Sequence, residues 1–235
     1  SQFTVLPFGA SQEDFKKVFE ARITQSIFHP NDGNKHWVYV GRGGGDMEKA
    51  LRLLFLTIKR GRDLEPAHYE QLRLHFIGTN YALAGRAVKS VEPIAREYGL
   101  NDIVEELTGR VPYLEAIKIL TDSDAILLFG SDDPGYTASK LYPCILTGKP
   151  ILAIFHEQSS VVNILRRCNA GRVITFSSTD VAQDKIETTT KYLDWLLDLP
   201  KGFETQVDWD NFQPYTAREM TRRQCEVFEK ALGAS

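Results

Sequence analysis

Short apolar runs bounded by small or polar residues and separated by helical patterns are the feature that most constrains how this chain folds. They fall at His36–Val40, Leu74–Ile77, Ala125–Phe129, Ile151–Ile154 and Arg172–Phe176, with a more polar one at Ile103–Leu107. Strands that are apolar along their length are buried on both faces, and strands alternating with helices belong to a parallel sheet with helices on each side. Thr4–Pro7 reads as an extended lead-in. Ser11 stands as N-cap of a helix to about Thr24, and further helices are expected at Asp46–Gly61, Ala87–Tyr98, Tyr113–Thr121, Ser139–Thr147, Val161–Cys168, Val181–Leu197 and Thr216–Ala231. The expected architecture is a Rossmann-like, doubly wound α/β domain. Its parallel sheet has about six strands in the order 3-2-1-4-5-6, and a C-terminal helix follows.

In such a sheet ligands bind beyond the carboxyl ends of the strands, where the strand order reverses. Two loops point to that place. After the first strand comes Gly41-Arg-Gly-Gly-Gly45, followed by a helical pattern from Asp46. Glycines allow close approach of backbone to ligand and positive φ, and Arg42 offers a planar cationic fork suited to phosphate oxygens. Asp46 stands where a dinucleotide fingerprint has its third glycine or alanine, which disfavours a nicotinamide-dependent oxidoreductase. After the fourth strand, Gly130-Ser-Asp-Asp-Pro-Gly-Tyr-Thr-Ala-Ser-Lys140 leads into a short helical segment closed by Gly148. The unpaired N–H groups at such a helix start favour an anion, and Thr137 and Ser139 are the candidate caps or ligand contacts.

Composition narrows the function classes. A hydrophobic content of 43% fills a core, and 31 acidic against 28 basic residues, net −3, gives no basic footprint for nucleic acid. Cys144, Cys168 and Cys225 are odd in number and far apart, which argues against a disulfide framework and for a reducing compartment. No run approaches the ~20 apolar residues of a membrane span. The histidines at 29, 36, 68, 75 and 156 lack zinc spacing, so no metal is expected. A cytoplasmic location is expected, with peripheral membrane association left open for a longer protein. Ser131 has no nucleophile-elbow pattern. Trp195, Phe203, Trp209, Phe212 and Tyr215 read as one packing cluster.

Val40-Gly-Arg42 after a strand, Phe76-Ile-Gly78, Gly109-Arg-Val-Pro-Tyr-Leu-Glu-Ala116 and Ser139-Lys-Leu-Tyr-Pro-Cys-Ile-Leu-Thr-Gly-Lys-Pro150 occur in this order. Together they resemble the donor-binding C-terminal domain of GT-B-fold glycosyltransferases of group 1, or family 4. The resemblance spans about residues 36–176 and implies one half of a GT-B fold. Residues 1–35 would be a lead-in and helix from the interdomain connection, 36–200 the nucleotide-sugar-binding domain, and 201–235 an extension packing back towards an N-terminal domain that this chain does not supply. The implied substrate is a UDP-, GDP- or ADP-linked sugar, with no further cofactor.

The resemblance also implies residue roles. Gly41, Arg42, Gly43 and Gly44 would lie against the diphosphate, with the N–H groups of Gly135, Tyr136, Thr137, Ala138, Ser139 and Lys140 opposite. Arg110, Val111 and Tyr113 would form the base-binding turn, and Gly78 and Thr79 the cleft edge. Ser131, Asp132 and Asp133 would meet sugar hydroxyls. Arg42 and Lys140 are the candidate catalytic groups, acting on phosphate charge; Lys49, Arg86, Lys89 and His156-Glu157 are weaker candidates.

The chain departs from the family where glutamates are usual: those positions hold Gly135 and Pro143, so the ribose-binding carboxylate is missing unless Asp133 or Tyr142 replaces it. Met47 stands where lysine is common. The implied function is glycosyl transfer, with retention, to an unknown acceptor, the isolated chain binding nucleotide better than it transfers sugar. The alternatives are a non-catalytic nucleotide-binding or interaction domain on the same fold, and half of a sugar-nucleotide epimerase.

Overall fold

The computed structural model describes residues 8–80, 86–177 and 182–233, with residues 4, 6 and 82. Strands β1 (Lys35–Val40), β2 (Leu72–Ile77), β3 (Val104–Leu107), β4 (Ala125–Phe129), β5 (Ile151–His156) and β6 (Arg172–Phe176) form one sheet in the order β3-β2-β1-β4-β5-β6. Every neighbouring pair is parallel, as the sequence predicts. The helices are α1 (Gln12–Glu20), α2 (Glu48–Leu64), α3 (Pro66–Tyr69), α4 (Glu92–Glu97), α5 (Tyr113–Asp122), α6 (Leu141–Leu146), α7 (Ser160–Arg167), α8 (Ile186–Asp198), α9 (Trp209–Phe212) and α10 (Ala217–Ala231). None is long and apolar enough to cross a membrane, among the described residues.

Strand alternation sends neighbouring side chains into two separate cores. Trp37, Tyr39, Leu74, Phe76, Leu127 and Phe129 pack on one face with Leu54, Phe55 and Ile58 of α2 and Leu193 and Leu197 of α8. Val38, Ile77, Ile126, Leu128 and Phe155 face the other way, against Leu120 of α5, Leu141 of α6 and Val161 of α7. Because both faces are covered, the strands read as unbroken apolar runs rather than as alternation.

Helix boundaries differ from expectation for identifiable reasons. Pro93 belongs in a first helical turn, so α4 begins at Glu92 and not at Ala87. Gly61 does not end α2. It lies beneath the Tyr69 ring, where a Cβ would come within 2.3 Å, and α2 runs on to Leu64. Ser11 occupies the N-cap position of α1 without a side-chain capping bond, whereas Thr216 does accept from the Glu219 N–H at the start of α10. Most of the lead-in and the expected helix start at Val181 lie outside the described residues. The aromatic cluster is two: Trp195 meets Phe203, and Phe212 meets Trp209 and Tyr215.

Two segments remote in sequence are joined at Ala10, whose N–H donates to the Tyr215 carbonyl at 3.0 Å and whose carbonyl accepts from Ala217 N–H at 2.8 Å. Gly9 has no room for a Cβ, which would sit 2.7 Å from Ala217 N.

Beside the cleft, the buried Glu106 carboxylate accepts from the Thr79 hydroxyl at 2.6 Å and from the N–H groups of Ser90, Val91 and Glu92 at 3.0, 2.8 and 2.9 Å. It caps α4 from outside the helix and fixes the segment after β2. Glu106→Ala leaves these donors without an acceptor and is expected to lower unfolding free energy by about 3 kcal/mol, measured by urea denaturation, with Glu106→Gln costing less.

On the opposite face, His36 Nδ1 and His75 Nε2 lie 3.0 Å apart beneath the Phe28 ring, flanked by Asp32 and Glu105. Burial, and then His36, draw the His75 imidazole below its ordinary pKa, against the pull of Glu105 and Asp32. As pH falls through about 6.5 the unfolded chain takes up a proton that folded His75 resists, so stability decreases with acidity. The melting temperature is expected to drop between about pH 7.5 and about pH 5.5. His75→Gln should flatten that slope.

Candidate functional site

The glycine turn leaves β1 across the carboxyl end of β2: Gly41 N–H donates to the Ile77 carbonyl at 2.9 Å and Gly43 N–H to the Thr79 carbonyl at 2.7 Å. The Tyr39 hydroxyl donates to the Arg42 carbonyl at 2.7 Å. None of Gly41, Gly43, Gly44 and Gly45 lies in the left-handed region, and Gly44 is extended with φ of 164°, which corrects the expectation from sequence. These glycines make room for the protein itself. A Cβ on Gly41 would lie 2.7 Å from the Tyr39 ring, one on Gly43 2.5 Å from Ser90 Oγ, and one on Gly44 2.5 Å from Asp46 Oδ1. Among the described cleft glycines, Gly78 alone takes the left-handed conformation, with φ of 73°.

The loop after β4 meets this turn directly. Asp132 N–H donates to the Asp46 carbonyl at 3.0 Å. Arg42 forms a bidentate pair with Asp46, Nη1 to Oδ1 at 2.9 Å and Nη2 to Oδ2 at 2.6 Å, and its guanidinium lies 5.8 Å from the centre of the Tyr136 ring. Arg42 first, and Ser131 through a further hydrogen bond, hold the Asp46 carboxyl below the usual range, against the effect of burial. The cationic fork expected to stand open therefore has a carboxylate in it. Asp46 was missed as a site residue, although its place four residues after Arg42 at a helix start is the spacing of an ion pair.

Within the second loop, Asp133 is absorbed in a turn, its Oδ1 accepting from Gly135 N–H at 2.8 Å and its own N–H donating to Ser131 Oγ at 3.1 Å. Asp132 is exposed, Ser131 and Ala138 are buried, and the Tyr136 carbonyl accepts from the Ser159 hydroxyl at 3.2 Å. Neither Thr137 nor Ser139 caps α6. Lys140 takes the N-cap position without a side-chain capping bond, and the Thr137 hydroxyl turns to the Gly135 carbonyl. With six residues, α6 carries only a short dipole. Tyr142 is buried against Tyr215, with ring centres 5.4 Å apart, and does not replace the absent carboxylate.

Beside the two loops lies a cavity of about 320 Å³. Val40, Ile77 and Gly78 line it from the sheet, Val111, Ile117 and Leu120 from the segment of α5, and Pro143 and Cys144 from α6. Arg110 and Lys140 are its charged lining residues, and no aspartate or glutamate joins them. Partial burial, opposed by Cys144 and reinforced by Arg110, lowers the Lys140 pKa although the side chain reaches solvent. Tyr113 also lines it, its hydroxyl donating to Asp14 Oδ2 at 3.1 Å and its pKa pushed up to about 12 by burial and by Asp14.

The weaker candidates are placed elsewhere. Lys49 Nζ donates to the Ser177 carbonyl and sits over the Phe176 ring, Lys89 pairs with Glu92, and the Nδ1 of buried His156 accepts from Gln158 N–H. A larger hollow of about 1320 Å³ lies at the other end of the sheet, beside Arg73, Leu100 and Ile103. It is shallow, and four of its charged residues pair within it, Arg62 with Asp102 and Lys59 with Asp63, so the strand carboxyl ends are the better candidate.

No family model and no curated protein matches the sequence. Solved structures do match in shape. The chain has the fold of one half of a GT-B glycosyltransferase. A UDP-forming α,α-trehalose-phosphate synthase from Burkholderia xenovorans superposes with a TM-score of 0.67 at 12% identity, over 95% of this chain and 50% of that one. The trehalose-6-phosphate synthase OtsA gives 0.62 at 14%, over 99% and 51%. WaaG, a glycosyltransferase of lipopolysaccharide biosynthesis, gives 0.56 at 14%, over 92% and 52%. The GT-B half-fold thus spans about half the length of the structures it matches.

Burial pushes the Cys144 thiol up to about 12 and the Cys168 thiol up to about 11, whereas Cys225 is exposed on α10. A thiol reagent at neutral pH is expected to label Cys225 alone in the native protein. Rapid labelling of Cys144, read by mass spectrometry of peptides, would show that the cavity opens to its floor.

Proposed function

We propose that this chain is the sugar-nucleotide-binding half of a glycosyltransferase, which in the whole protein moves a glycosyl group from a nucleoside diphosphate sugar to an acceptor, with retention. The observation that carries the reading is the junction of two loops, the glycine turn after β1 and the Ser131–Lys140 segment after β4, through the Asp132 N–H to Asp46 carbonyl bond. They meet where the strand order reverses, beside an apolar cavity.

On this reading the cavity takes the nucleobase between Val111 and the α5 side chains, with Lys140 and Arg110 facing the phosphates from one side and the glycine turn with Arg42 forming the anion subsite on the other. Transfer would draw on orientation of the donor and electrostatic stabilisation of the leaving diphosphate. Acceptor contacts would come from a second Rossmann-like domain. Pro143 in the cavity wall is the observation that favours the second reading, a nucleotide-binding or interaction domain that kept the fold without the chemistry.

Thermal unfolding with UDP, GDP, ADP and NAD separates these. A nucleoside diphosphate at one hundred times its dissociation constant is expected to add about 2.7 kcal/mol of stability, while NAD adds none. Lys140→Ala and Arg110→Ala should each weaken the diphosphate by about tenfold without lowering the melting temperature of the free protein. Silence with every nucleoside diphosphate sinks the transferase reading.

A further inference from the structure

Among the described residues, the Arg42–Asp46 pair is a charged cluster in the cleft that no expected role explains, and it opposes the role expected of Arg42. A guanidinium meets a phosphate through the same pair of parallel N–H donors that it here gives to a carboxylate. An anion approaching Arg42 also approaches the Asp46 charge, so the two cannot share the fork on equal terms. The pair is open to exchange, since the two side chains are 32% and 36% exposed.

The surroundings hold the pair in place while leaving the carboxylate somewhere to go. Ser131 lies near enough to the Asp46 carboxyl to help hold its pKa down, Asp132 N–H holds the Asp46 carbonyl, and the Tyr136 ring lies near Arg42. Asp46 lies in the short Gly45–Met47 turn that opens into the 17-residue α2. A carboxylate released from Arg42 remains at the amino end of that helix, where negative charge is stabilised.

We propose that Asp46 is a built-in competitor for Arg42: a latch that closes the glycine-turn cation until a diphosphate displaces the carboxylate, selecting multiply charged pyrophosphate over singly charged anions. The inference rests on the glycine turn being the anion subsite of the proposed function. It names Asp46 as the residue that sets both the affinity and the charge selectivity of that subsite. It also gives the Ser131 loop a part in release, because that loop holds the Asp46 carbonyl and borders its carboxyl.

The test is titration calorimetry of the wild-type chain and Asp46→Asn with inorganic pyrophosphate and with acetate as a singly charged competitor. Asp46→Asn is expected to bind pyrophosphate about three- to fivefold more tightly, the worth of a half-exposed ion pair. Acetate should compete better in the variant than in the wild type. The gain should vanish when Arg42→Ala is added to Asp46→Asn. Asp46→Ser serves if the asparagine variant fails to fold. Equal affinity of variant and wild type, or no pyrophosphate binding by either, overturns the latch. A variant that gains pyrophosphate while no nucleoside diphosphate binds keeps the latch and removes the nucleotide reading instead.

Discussion

The limited pairing between β1 and β4 is the constraint on which the cleft depends. β1 keeps register with β2 over the whole of Lys35–Val40, but with β4 only at Trp37–Ala125 and Val38–Ile126. Beyond those residues the strands continue without further register, and the sheet parts at its carboxyl end. One face of the gap is filled by aromatic rings, Tyr39 lying 5.1 Å from Phe129 and 6.0 Å from Phe76. The other face is left to Val40 and Ile77, which line the cavity. A crevice at a strand-order reversal is thus apolar on its floor and polar at its rim, because the loops that leave the two strands must bridge it with main-chain bonds.

Two carboxylates beside that polar rim have different duties. Glu106 is 2% exposed and fully committed to Thr79 and the amino end of α4. Removing it would strand several buried donors, so it is fixed. Asp46 has one cationic partner, is half-exposed, and contributes little net stability through that pair once solvent screening is counted. A group held that loosely can exchange partners without disturbing the fold, whereas Glu106 cannot.

The strands were legible because a two-faced parallel sheet demands continuous apolar runs, and β4 and β6 have the expected bounds. The single-turn helices were not. Four-residue α3 and α9 hold too little periodicity to register, and the start of α4 depends on Glu106, which reaches it from another strand. In the cleft, small residues marked both loops, but the reason for the glycines was misassigned: the space they leave is taken by Tyr39, Ser90 and Asp46. The walls given by Ile117, Leu120 and Cys144 carry no signal of their own in the sequence, since a side chain lining a cavity and one filling a core share the same apolar pattern.

Charge placement separates the two ends of the cleft. At the glycine turn, Arg42 is balanced by Asp46. At the cavity, burial first and Arg110 after it draw the Lys140 pKa down against Cys144, and the lining residues include no aspartate or glutamate. An anion beside that apolar cavity would favour the charged form of the lysine. On the proposed function, phosphates reaching Lys140 and Arg110 at the cavity end would also lie within the same cleft as Arg42. Exchange at the glycine turn would then take place within a bound complex, where a tethered phosphate competes with the Asp46 carboxylate at high effective concentration.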